Sequence, residues 1–148
     1  MSYLPCELHC HTIHSDGDFA VSELQKAAAD DHLAIIALTD HNTFSGWDEL
    51  DDNIIPAIRG IEWTTYFGHM LVLGANDFVD WRDAQPDNID EKIKQVKAVG
   101  GIVGIAHPYQ LGSPLCTGGR WEFNVRDWRN VDYIEVWHQN LYSAKREN

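Results

Sequence analysis

Eight histidines lie in a chain of 148 residues, and their positions suggest metal chemistry more than their number does. His9 and His11 are two apart in an apolar stretch. Side chains two apart on a strand point the same way, so one backbone segment can offer two imidazoles to one ion. Asp16 follows in a polar loop and can fold back towards them. His41 stands directly after a second apolar run, Glu62 near the end of a third and His107 directly after a fifth. His69 begins the fourth run, and it reaches the same place if the third and fourth runs form a hairpin. Imidazole with carboxylate suits zinc, iron and manganese. Seven such groups are too many for one four-coordinate ion. They point to two or three divalent ions with Glu62 bridging, a centre able to activate water and clamp a phosphoryl group.

Short apolar runs alternating with helical patterns must position these groups, the mark of an α/β fold with mostly parallel strands. Strands are expected over 3–10, 33–38, 54–63, 69–74, 102–106 and 131–137. A helix is expected from an N-cap at Ser22, with Gln25 completing a capping box, to about Asp31. A second covers Asp90–Val99, with Ile89, Ile93 and Val96 on one stripe and Gly100 as its stop. A short helix is expected near 47–51, and 77–88 and 109–119 read as loops. In parallel α/β folds the C-terminal ends of the strands share one rim, where active sites sit.

Composition sets the outer limits. Hydrophobic residues make up 44% and charged residues 23%, as in a soluble globular domain. The net charge of −12 disfavours nucleic acid and anionic membranes as partners and suits divalent cations. No apolar stretch nears the roughly 20 residues of a membrane span. Three cysteines without a pairing pattern, and no basic-then-apolar leader, fit a reducing, cytoplasmic setting.

The motifs resemble those of the PHP superfamily, named for polymerase and histidinol phosphatase. The run from Glu7 through His9, His11 and Asp16 to Gly17 is similar to its first motif, Thr39-Asp40-His41 to its second and Ala106-His107-Pro108 to its third. Gly60-Ile61-Glu62 and Gly68-His69 resemble the segments supplying a bridging glutamate and the next histidine. The resemblance implies a distorted barrel of seven βα units with metals at the C-terminal rim. It also implies hydrolysis of a small phosphorylated molecule by a metal-bound hydroxide, with no separate protein nucleophile. By the same analogy, His9, His11 and Glu62 serve one ion, Glu62, His69 and His107 a second, and Asp16 with His41 a third. The run 133–137 is similar to a strand that often leads to asparagine, a position held here by His138. His138 is read either as a rim residue that meets substrate or as a polar strand end. Arg120 is read as a phosphate grip or as a solvated surface residue.

The family completes its site with a late Asp-x-His, and none follows His107. At 148 residues the chain is short by roughly a third to two-fifths for a barrel of some 200–250 residues. The expectation is therefore one PHP domain over 1–148, truncated so that its last βα units are missing. A homo-oligomer would cover the open edge and its tryptophans. The leading function is a metal-dependent phosphoesterase. The alternatives are a PHP-type nuclease, which the acidic balance disfavours, and a non-catalytic metal-binding or assembly module.

Overall fold

A computed structural model describes residues 3–110 and 120–136. Among the described residues, six strands form one sheet in chain order: β1 (Cys6–Cys10), β2 (Ile35–Leu38), β3 (Ala57–Thr65), β4 (Gly68–Leu73), β5 (Ile102–Ile105) and β6 (Tyr133–Ile134). β1, β2 and β3 pair in parallel, as do β5 and β6, while β4 runs antiparallel to both β3 and β5. The C-terminal ends of five strands and the start of β4 therefore share one rim. The described residues also include two ten-residue helices, α1 (Val21–Asp30) and α2 (Ile89–Ala98).

The sheet is buried on both faces, which explains its near-continuous apolar runs. On the outer side, α2 buries Ile89, Ile93 and Val96 against Ile61, Trp63, Met70, Val72 and Val103. Each such burial contributes about 2 kcal/mol. α1 sets Ala28 against Ile36 and Ile55. The inner side is a smaller cluster of Ala37, Leu71, Leu73 and Ala106. Leu8 from β1 and Tyr133 from β6, the outermost strands, both pack on it, so the sheet curls into a half-barrel. Tyr133 can lie inward because Gly104 beside it has no side chain: a Cβ there would come within 2.1 Å of the ring.

Several boundaries differ from the sequence expectations. β1 starts at Cys6 rather than Tyr3, because Tyr3 and Leu4 are exposed and precede Pro5. β3 starts after Pro56, which has no N–H for a ladder. The N-cap of α1 is Ala20, not Ser22: the Ala20 N–H donates to the Glu23 carboxylate at 2.9 Å. Gln25 is buried and caps nothing; its amide donates to the Asp51 carbonyl at 3.0 Å and its oxygen accepts from the Asp51 N–H. The short helix is a single 3₁₀ turn at Trp47–Glu49. β6 is two residues long, and Trp137 lies outside the described residues. Of the other five tryptophans, only Trp128 is more than half exposed, at 51%.

Candidate metal centre

Glu62 lies wholly buried at the rim end of β3, with five imidazoles around its carboxylate. Oε1 lies 2.9 Å from His69 Nδ1 and 3.0 Å from His107 Nε2. Oε2 lies 3.1 Å from His9 Nε2, 3.3 Å from His11 Nε2 and 2.9 Å from His41 Nδ1.

Local structure explains each approach. His9 is in β1 and His11 just past it, so the period of two turns both to one side, and each offers Nε2. His41 follows β2 and forms a lone parallel bridge with Glu62. His69 is opposite Thr64 in the β3–β4 hairpin, and opposed residues share a face, so it joins Glu62 on the inner side. His107 closes β5 with φ of 27°, a left-handed backbone uncommon outside glycine and held just before Pro108.

Asp16 is largely exposed and arrives from the loop after β1, 3.6 Å from His11 Nδ1 and 3.4 Å from His41 Nε2. That loop is folded by Asp40, which is buried. Its Oδ1 accepts from the Thr12 N–H at 2.7 Å and the Ser15 hydroxyl at 2.6 Å, and its Oδ2 from the Thr12 hydroxyl at 2.7 Å. Gly17 closes the loop by donating to the Thr12 carbonyl at 2.9 Å, and a Cβ there would meet the His11 carbonyl oxygen at 2.3 Å.

The sequence reading passed over two residues, Asp40 and Glu135. Glu135 follows β6 and takes His9 Nδ1 on Oε1 at 2.8 Å and the His107 N–H on Oε2 at 2.9 Å. The strand-end rule that selects the histidines applies to Glu135 as well. His14 faces away from the cluster and binds Glu49 and Ser45 at 2.7 and 2.8 Å. Arg120 sits in a backbone bridge with Tyr109, just beyond His107, and its side chain makes no ion pair with the described residues. His138 lies outside the described residues.

The imidazoles and carboxylates of the cluster stabilise one another's charged forms against the cost of burial. Burial alone would raise the Glu62 carboxyl, but the imidazoles of His107, His11, His41 and His69 outweigh it and hold it far below the usual range. Burial would lower His9, yet Glu135 and then Glu62 raise it to about 10. His41 is likewise raised against its burial by Glu62 and Asp16. Glu62 Oε2 has three ring nitrogens within 3.3 Å but no approach with hydrogen-bond geometry. A buried acceptor left in this way needs another partner. A divalent cation fits that need and the nitrogen–oxygen donor set.

Ligand atoms within 4.8 Å of one another form three groups among the described residues: His9–Glu62–His107, His11–Asp16–His41 and His41–Glu62–His69. The family analogy pairs His107 with His69 rather than His9. Both do face Oε1, but His107 also reaches the His9 side of the carboxylate.

A PHP domain model matches residues 7–103. The chain belongs to the PHP family. Among its relatives is the uncharacterized protein MJ1295 of Methanocaldococcus jannaschii, 28% identical over 109 residues, covering 74% of this chain and 48% of MJ1295. This PHP chain thus spans about half the length of that relative. The uncharacterized protein MJ1587 of the same organism is 29% identical over 153 residues, covering 93% of this chain and 85% of its own. A two-domain protein of Bacteroides vulgatus containing a predicted PHP-like metal-dependent phosphoesterase shares the fold. Its TM-score is 0.68 at 22% identity, over 90% of this chain and 44% of that one.

Proposed function

We propose that this PHP domain is a metal-dependent phosphoesterase that hydrolyses a small phosphorylated molecule. The observation that carries the reading is the convergence of five imidazoles on the buried carboxylate of Glu62. Two or three divalent ions, of zinc, manganese or iron, would be held by His9, His11, Asp16, His41, Glu62, His69 and His107. Such ions supply Lewis acidity, lowering the pKa of water and neutralising phosphoryl oxygens.

The chain's own residues do the rest. Glu62 presents one oxygen to His69 and His107 and the other to His9, His11 and His41, and would be shared between ions held there. Asp40 holds the loop that carries His11 and Asp16. The buried inner cluster below the rim keeps water out from beneath. Arg120, beyond His107, is a candidate phosphate contact, since guanidinium pairs with phosphate in a fixed fork. The reading extends to a seven-unit βα barrel architecture and to assembly into a homo-oligomer.

The test is hydrolysis of an aryl phosphate by chelator-stripped protein resupplied with manganese or zinc. Wild type should turn over, and His9→Ala and Glu62→Gln should lose at least a hundredfold in rate. Equal turnover in wild type and both variants would sink the reading. Metal uptake without hydrolysis would favour a binding module instead.

A further inference from the structure

Glu135 spends both carboxylate oxygens on residues of the Glu62 cluster. Oε1 lies 2.8 Å from His9 Nδ1, and Oε2 accepts the His107 N–H at 2.9 Å. Its own N–H donates to the Ile105 carbonyl at 3.0 Å, which fixes it to the end of β5. Its side chain is only 14% exposed. The residue directly after β6 thereby ties β1 to the end of β5.

We propose that Glu135 is a positioning residue that orients His9 and the His107 backbone, and so shapes one of the three ligand groups, His9–Glu62–His107. The inference rests on the metal-centre reading above. An imidazole that donates from Nδ1 to a carboxylate leaves the Nε2 lone pair for a metal, and loss of such a partner typically weakens an ion ten- to a hundredfold. His9 has the geometry this needs, with Nδ1 on Glu135 at 2.8 Å and Nε2 turned towards Glu62 at 3.1 Å. At His107 the same carboxylate holds the amide of a residue whose φ of 27° needs outside support. Both oxygens of Glu135 act on members of this one group of three, so its effect should fall first on that group.

Zinc titration by calorimetry and NMR of histidine-labelled protein test this together. In wild type, the His9 Nδ1 proton should give a slowly exchanging downfield resonance, identified by its absence in His9→Ala. In Glu135→Ala that resonance should vanish, and one zinc-binding step should weaken ten- to a hundredfold while the others hold. Glu135→Gln keeps one acceptor and should fall between, which preserves the test if the alanine variant does not fold. Asp132→Asn is the control for a merely structural effect, because it loosens the same segment without touching an imidazole. Binding steps and the resonance in both Glu135 variants that match those of Asp132→Asn would overturn the proposal. If wild type binds no zinc, the metal-centre reading fails separately. The resonance alone then decides: persistence in Glu135→Ala overturns the role of Glu135, and loss supports it.

Discussion

Asp40 grips Thr12 with both carboxylate oxygens, each at 2.7 Å, one on the hydroxyl and one on the backbone N–H. Both residues are buried, and a third bond from Ser15 completes the set. Replacing Asp40 by Ala leaves these donors without a partner, which should cost about 3 kcal/mol. Thr12→Val removes only the hydroxyl and should cost about 1 kcal/mol. Urea unfolding measures both, and equal stability of all three proteins would contradict the structure.

Gly17 admits no side chain. The Cβ of Gly17→Ala would overlap the His11 carbonyl, so the loop must open and withdraw Asp16 from His41. The expected outcome is weaker uptake at the His11–Asp16–His41 group with the other two groups kept. Divalent-ion titration would show one step lost, and an unchanged titration would mean that the loop has another closed form.

Removal of metal should lower the melting temperature, and resupply should restore it, because an ion that binds only the folded chain adds RT ln(1 + [L]/Kd). At a hundredfold excess over Kd that is about 2.7 kcal/mol per site. Glu62→Gln should abolish most of the rise, since each group of three except His11–Asp16–His41 includes Glu62. A rise of wild-type size in this variant, read by scanning calorimetry, would argue against a bridging role.

Asp132 predicts a pH dependence away from the candidate site. Burial would raise its carboxyl, but Lys97 and the Val103 N–H, at 2.7 Å each, lower it on balance. A carboxylate lowered in the folded state stabilises fully above its unfolded value of about 3.9, and loses that contribution as pH falls through the folded value. Asp132→Asn should therefore be less stable than wild type at pH 7, with the gap narrowing as pH falls below about 3.9. A constant gap across that range would show that the charge contributes nothing.

Much of the candidate site was legible in the sequence, because apolar strands buried on both faces announce where they stop. His9, His11, His41 and His107 were found by that rule, and His69 by inferring a hairpin whose register pairs it with Thr64. The helices were legible from their stripes, but the cap of α1 was not. Ser22 is the stronger N-cap type, yet Glu23 reaches back to Ala20 and starts the helix earlier. The supporting carboxylates were obscured for a different reason. Asp40 lies next to His41, and only the folded loop shows that its side chain turns to Thr12. Glu135 gains its partners by the curl of a whole sheet, which one-dimensional periodicity does not carry.

The bond between His9 and Glu135 joins residues 126 positions apart. Long-range closure of this kind is slow, because its loop entropy must be met before the contact rewards it. During vectorial synthesis, His9 and His11 emerge long before the carboxylate that orients His9. The group of three containing His9 should therefore gain its orienting carboxylate late, and an ion captured earlier would meet a pair of imidazoles on an unfinished chain.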